Sequence, residues 1–323
     1  MATRKKVTAK AGSKPAIWVM PYEWIVGQDQ VKMALEIAWV APQVGGVLLS
    51  GQRGTGKSTV VRAFTLMVNR RLPVTLPINA TEDRVVGGWR IEELLQGKHK
   101  WMPGLLEEAN GNVLYVDEVN LLDDHIVNLL LDVTSTGVLV VQREGRDETK
   151  PVRFTLIGTM NPSEGLLRPQ LIDRFSLCAN VSASEDRAGV LEKVLLYDAA
   201  LTMDRNGNHE AAWDEWQAAI QSDQTKATNL AAARSRLQEV TIPDAIYAHC
   251  VSIGKLFGVE GHRADFLMAL AGKALAAMDH QKAVSKEHLK RVAPLVLQHR
   301  RAGGQAGGWS KEDEKRLNDE LAK

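Results

Sequence analysis

Cysteine is almost missing from this 323-residue chain: only Cys178 and Cys250 occur, far apart and outside any CxxC spacing. That excludes a disulfide framework and a cysteine zinc site, and points to a reducing, cytosolic-type compartment. No run of about eighteen uninterrupted apolar residues occurs, so no membrane-spanning helix is expected. The most apolar window, residues 31–50, carries Lys32 and Glu36 and is broken by Pro42. Charge of one sign is lacking too. Forty basic against 39 acidic residues leave +1, which gives nucleic acid no bulk electrostatic footprint. The amino terminus holds Arg4, Lys5, Lys6, Lys10 and Lys14 and no acid before Glu23. It has no apolar h-region, so residues 1–22 read as a flexible basic tail rather than a secretory signal. No internal repeat is visible, and the 8 histidines show no metal-ligand spacing.

What is present is ordinary globular composition, 45% hydrophobic and 24% charged. The length suits about two domains. From Ile25 to about Val181, short apolar runs alternate with amphipathic segments, the pattern of strand–helix repeats around a parallel sheet. Val47-Leu48-Leu49, Val113-Leu114-Tyr115-Val116 and Phe154-Thr155-Leu156-Ile157 are expected as buried strands. Val138–Val141 is a fourth apolar run, and residues 137–153 read as a hairpin with 143–147 as its polar turn. After about Ser182 the residues favour helix. Val190, Leu191, Val194 and Leu195 share one face at the 3.6-residue period, and Trp213, Trp216 and Ile220 form a packing stripe. Further helical blocks begin after Ile242-Pro243 and after Gly261. The end, from Ala302, is glycine-rich and then becomes a short charged helix. The expected organisation is therefore a tail over 1–22, an α/β nucleotide-type core over 23–182, a helical domain over 183–302 and a second tail over 303–323.

Gly51-Gln52-Arg53-Gly54-Thr55-Gly56-Lys57-Ser58 fits the phosphate-loop pattern GxxxxGK[ST], between an apolar strand and the helix-like Val60-Val61-Arg62-Ala63-Phe64. The glycines let the backbone turn its N–H groups onto the phosphates, and a helix starting near Lys57 adds its positive end. Lys57 supplies charge to the β- and γ-phosphates, and the Ser58 hydroxyl is a Mg²⁺ ligand candidate. Gly51, Arg53, Gly54, Thr55, Gly56, Lys57, Ser58 and Thr59 are thus the candidate ATP-binding residues of the loop. The second acid site is Asp117-Glu118, directly after the strand 113–116, where α/β sheets bind ligands. Asp117 is the second candidate ligand of Mg²⁺ and Glu118 the group that orients or deprotonates the attacking water. Asn161, after the strand ending at Ile157, is placed to hydrogen-bond the γ-phosphate or that water. Tyr115 reads as a core residue of its strand.

These residues resemble the AAA+ ATPase subunit of magnesium chelatase. The likeness extends beyond generic ATPase motifs. Ile25-Val26-Gly27-Gln28 is similar to the family's segment beside the adenine, which adds Val26 to the nucleotide-binding candidates. Residues 80–87 resemble the stretch leading into a helical insert, and residues 114–125 the second acid motif with its continuation. Gln142-Arg143-Glu144-Gly145 is similar to the hairpin before the sensor strand. Residues 167–175 resemble the arginine-finger segment, and residues 261–265 the second sensor. The segment 67–75 is shorter than the family usually carries.

The resemblance implies a three-layer AAA+ core with a parallel sheet, followed by an all-helical domain. It implies that Arg174 reaches a neighbouring subunit's ATP and that Arg263 touches a γ-phosphate from the helical domain. It further implies a hexameric ring, a partner AAA+ subunit with an integrin-like domain, and a large subunit holding the porphyrin. ATP and Mg²⁺ are the implied cofactors, and the cytoplasm the implied location. A MoxR-type remodelling chaperone is the alternative. A ring that binds ATP without hydrolysing it is disfavoured by Glu118, Asn161 and Arg174 together.

Overall fold

The computed structural model describes residues 17–89, 101–143, 146–202, 210–301 and 308–323. Its strands, in chain order, are β1 (Gly46–Ser50), β2 (Val74–Leu76), β3 (Gly87–Trp89), β4 (Trp101–Pro103), β5 (Val113–Val116), β6 (Val138–Arg143), β7 (Arg146–Pro151), β8 (Thr155–Met160) and β9 (Phe175–Asn180). Five of them form one sheet in the order β2-β5-β8-β1-β9. Every pairing in it is parallel. All three expected buried strands lie in this sheet. The fourth apolar run forms an antiparallel pair instead, β6 with β7, outside the sheet. Glu144 and Gly145 of its expected turn lie outside the described residues.

Alternation sorts the strand residues between two cores. Val47, Leu49, Val113, Tyr115, Ile157, Leu177 and Ala179 face one. Leu48, Leu114, Val116, Leu156 and Cys178 face the other, joined by Phe175 where a register shift at the start of β9 breaks the alternation. On the first side lie α1 (Asp29–Val40) and α2 (Lys57–Asn69); on the second lies α3 (Asp124–Thr136). Ile126, Val127, Leu130 and Val133 form the buried stripe of α3, which stops at Gly137 with φ +68°. Glycine is required inside the sheet as well. A Cβ on Gly158 would sit 2.6 Å from the Phe175 ring, and one on Gly51 would sit 2.2 Å from the Val181 carbonyl oxygen.

The helical part comprises α4 (Arg187–Thr202), α5 (Glu210–Arg236), α6 (Asp244–Leu256), α7 (Arg263–Met278), α8 (Lys286–Leu297) and α9 (Lys311–Leu321). Its apolar residues continue the first core, so no gap of solvent divides the two parts. The expected stripe of α4 faces outward: Leu191 and Leu195 are 58% and 59% exposed. Leu196, Tyr197 and Ala200 instead pack on a cluster with Trp18, Trp24, Trp213 and Trp216.

Two expected tails need correction at their inner ends. Residues 1–16 lie outside the described ones, but Trp18 packs 5.4 Å from Trp216, centroid to centroid, and Tyr22 is buried. Asp223 of α5 accepts hydrogen bonds from the Tyr22 and Glu23 N–H groups, at 2.8 and 2.9 Å. Gly303, Gly304 and Gly307 also lie outside the described residues. The charged helix α9, however, is docked: Leu317 and Leu321 enter the core, and Asp313 pairs with Arg301. Amphipathic segments pack wherever an apolar stripe finds a partner, whatever their net charge.

The open edge of the sheet, β9, is closed by the residues after α8. The Gln298 amide donates to the Cys178 carbonyl, and His299 Nε2 lies 2.7 Å from the Phe175 carbonyl oxygen. Arg300 bonds the same carbonyl at 3.1 Å and Asp173 at 3.2 Å. These contacts satisfy an edge that would otherwise present bare carbonyls and fix the helical part to one side of the core. Burial, with Arg300 beside it, pushes His299 down from 6.5 to about 3. Because the folded value is the lower one, the neutral ring's contribution is complete above about pH 6.5 and drains as pH falls toward 3. The stability advantage of the wild type over His299→Gln, measured by urea unfolding, should therefore shrink by about 2 kcal/mol between pH 7 and pH 5. A constant gap would contradict the buried neutral ring.

Candidate nucleotide site

Three neighbouring strands, β5, β8 and β1, end on the same edge of the sheet, and each delivers part of the site. After β1 the chain turns through Gly54 and Gly56, at φ +80° and +83°, and enters α2 at Lys57. A side chain at either glycine would be strained by its backbone, although a Cβ there meets no atom within 4 Å. The hollow is lined by backbone at the positive end of a 13-residue helix, which suits a polyphosphate. Lys57 Nζ donates to the Gly51 and Gln52 carbonyls at 2.6 and 2.7 Å, so its ammonium lies over the loop. Partial burial lowers its pKa, opposed by Asp117, Glu118 and Glu164. Thr55 donates to the Gln52 carbonyl at 2.9 Å, while Thr59 is exposed on the first turn of α2. Val26 is half-buried, and its neighbour Gln28 donates to the Ser182 carbonyl at 2.9 Å and reaches the Thr55 carbonyl at 3.5 Å.

The acid pair stands beside this loop. Asp117 Oδ1 accepts hydrogen bonds from Thr159 Oγ1 at 2.5 Å and from Tyr115 Oη at 2.9 Å. The Glu118 N–H donates to Thr159 Oγ1 at 3.1 Å. Glu118 itself adopts φ +54°, ψ +54°, left-handed backbone that a side chain rarely takes. Such strain costs about 1–3 kcal/mol and gathers at functional positions. The Arg53 guanidinium bridges Glu118 at 3.2 Å and Glu164 at 2.9 Å. Arg53 is 72% exposed, so this bridge is weak and readily exchanged.

Asn161 does not reach the acids. Its amide donates to Glu164 at 3.0 Å and its oxygen accepts from the Ser163 N–H at 3.3 Å, capping the short helix Pro162–Glu164. It joins the site only through Glu164 and Arg53. Arg174 and Arg263 are farther away still. Both line one cleft of about 800 Å³ with Gly45, Gly46, Arg153 and Thr155, at the opposite ends of the strands from the phosphate loop. The helical part's attachment along β9 carries Arg263 into the same cleft as Arg174, away from the nucleotide loop of its own chain.

Sequence reasoning passed over three participants. Thr159 and Glu164 carry no motif. Tyr115 had a signal, because residues two apart on a strand share a face, and Tyr115 precedes Asp117 by two. Its hydroxyl lies 2.9 Å from Ser58 Oγ as well as from Asp117. Burial raises the phenol to about 12, so it is protonated at neutral pH. The Ser58 hydroxyl and the Asp117 carboxylate are thereby held together as a pair of hard oxygen donors, the set Mg²⁺ takes. Among the described residues no cluster of His, Cys, Asp and Glu forms a separate metal site, and no helix is long and apolar enough to cross a membrane.

Residues 46–175 match the AAA domain of the dynein-related subfamily, and residues 248–320 match the AAA lid domain. The second match includes α9. The magnesium-chelatase 38 kDa subunit of Cereibacter sphaeroides is 39% identical, over 87% of this chain and 91% of that subunit. Its counterpart in Rhodobacter capsulatus is 38% identical, over 87% and 88%. The crystal structure of a putative ATPase from Cytophaga hutchinsonii shares the fold, with a TM-score of 0.65 at 19% identity over 93% of this chain and 91% of that one. An AAA core whose strand ends gather a phosphate loop and an acid pair thus comes with extensive likeness to one family, and the chain belongs to it: the magnesium-chelatase 38 kDa subunits, ATPase motor subunits of a chelatase.

Proposed function

We propose that this chain hydrolyses ATP within a homohexameric ring, and that the ring's rearrangement drives Mg²⁺ insertion into protoporphyrin IX held by a partner subunit. The observation that carries this reading is the separation of the arginines from the phosphate loop. The four steps of β1 put roughly 13 Å between its ends, and Arg174 and Arg263 lie at the end opposite Lys57. Neither can serve its own loop, so each serves a loop presented by an adjoining copy. The cleft they line, about 800 Å³, has the size of a ligand site. Arg174 also keeps a buried Nε–H that bonds to nothing among the described residues. Head-to-tail contacts of this kind close into rings, and six copies is the closure the family resemblance implies.

Within each site the chain's residues divide the work. Gly54, Gly56 and the first turn of α2 bind the phosphates through backbone N–H groups, with Lys57 as the counter-charge. Ser58 and Asp117 hold Mg²⁺, which when bound neutralises charge on the β- and γ-phosphate oxygens. Glu118, fixed by its N–H bond to Thr159, takes the proton of the attacking water once Arg53 leaves it for the phosphates. Arg174 and Arg263 of the adjoining copy meet the charge that develops on the transferred group. The partners in this reading are an AAA+ subunit with an integrin-like domain and a large porphyrin-binding subunit, all in the cytoplasm and without nucleic acid. Similarity spanning most of both chains favours this over a MoxR-type client.

Glu118→Gln should bind ATP with near wild-type affinity yet lose about 10²–10⁴ in turnover; a phosphate-release assay showing normal turnover would refute the assigned base. Arg174→Ala and Arg263→Ala should each spare binding and cut turnover, the former by about 10³–10⁵. Mixed with Lys57→Ala, which should not bind ATP, either arginine variant should regain part of its activity, because an intact loop then meets an intact arginine. Failure at every mixing ratio would remove the shared site. The chelatase role is tested by combining the chain with both partner subunits, protoporphyrin IX, Mg²⁺ and ATP. Magnesium protoporphyrin absorbance is expected, and its absence with active partners would reject the role while leaving ATP hydrolysis intact.

A further inference from the structure

Tyr115 is 1% exposed in the middle of the sheet, where Phe would fill the same space. Its hydroxyl is what packing does not account for. It lies between the two oxygen donors of the candidate Mg²⁺ site, 2.9 Å from Ser58 Oγ and 2.9 Å from Asp117 Oδ1. A phenol has one proton, and an ionised carboxylate only accepts. Tyr115 therefore donates to Asp117, and the Ser58 hydroxyl must donate to Tyr115. Thr159 donates to the same Asp117 oxygen at 2.5 Å, while its own oxygen accepts the Glu118 N–H at 3.1 Å.

The direction of this chain has two consequences. The Ser58 proton is turned inward, which leaves its lone pairs on the side of the phosphate loop. Asp117 Oδ1 is committed to two hydroxyl donors, which leaves Oδ2 outside the relay as the oxygen that would serve the metal. Both donors are set in orientation by groups that touch neither metal nor nucleotide. Outer partners of this sort, when removed, typically cost 10–100-fold in metal affinity.

We propose that Tyr115 is a positioning residue for magnesium: its hydroxyl orients Ser58 and Asp117 as ligands through the relay Ser58 to Tyr115 to Asp117. This rests on the reading of Ser58 and Asp117 as the Mg²⁺ ligands. Thr159 supports the same relay from β8 and couples it to the backbone of Glu118.

Tyr115→Phe keeps the ring and removes only the relay, so it separates positioning from packing. Two quantities are read on the full chain. The first is the affinity for the non-hydrolysable analogue adenylyl-imidodiphosphate in EDTA. The second is the affinity of that complex for Mn²⁺, titrated by electron paramagnetic resonance. The expected result is EDTA affinity within about twofold of wild type and Mn²⁺ affinity at least tenfold weaker. Thr159→Val, which removes the second donor while keeping the side-chain shape, should shift Mn²⁺ affinity in the same direction. It also provides the measurement if the tyrosine variant does not fold. Unchanged Mn²⁺ affinity in a folded variant would overturn the proposal, as would equal weakening with and without metal. Asp117→Asn distinguishes the two levels. If it weakens Mn²⁺ binding while Tyr115→Phe does not, only the relay fails; if it has no effect, the metal-site reading itself fails.

Discussion

A parallel sheet places the carboxyl ends of all its strands on one edge, and the chemistry of this protein depends on which three ends are neighbours. Strand β8 lies between β5 and β1. The phosphate loop and the acid pair, on outer members of the trio, are therefore bridged by whatever β8 carries. It carries Thr159, which bonds both Asp117 and the Glu118 backbone, and Asn161, which caps the turn holding Glu164. Reversing any of these pairings would scatter groups that now meet within hydrogen-bond distance.

The second constraint acts at the opposite ends of the strands. Burying the exposed edge of β9 requires donors for its carbonyls, and Gln298, His299 and Arg300 supply them. Satisfying those groups anchors the helical part beside the core, and the anchor decides where Arg263 lies. Two arginines far apart in sequence thus share one cleft facing away from their own nucleotide loop. The phosphate loop and these two arginines therefore lie at opposite ends of the strands.

Much of this was legible in the residues. The apolar runs 47–49, 113–116 and 154–157 read as buried strands, because they are short, rich in β-branched, leucine or aromatic residues, and lack the alternation of a half-exposed sheet. The phosphate loop announces itself by glycine spacing. The outward face of α4 was not legible: Val190, Leu191, Val194 and Leu195 have the period of a buried stripe, yet the tryptophan cluster captures the other side of that helix. Periodicity reports that a face exists and says nothing of what competes for it. The docking of α9 was hidden for the converse reason, since its few apolar residues are outnumbered by charges that stay in solvent.

By itself, the sequence determined the parallel core, the phosphate loop, the acid pair and the helical character of the second half, because each follows from local geometry or from the spacing of side chains along one strand or helix. Only the tertiary structure decided that the Tyr115 hydroxyl joins Ser58 to Asp117, that Asn161 turns toward Glu164, and that Arg263 lines the same cleft as Arg174. The first joins segments 59 residues apart and the third segments 89 apart, both set by strand order and by which edge carbonyls had to be satisfied, while the second is a contact within one turn.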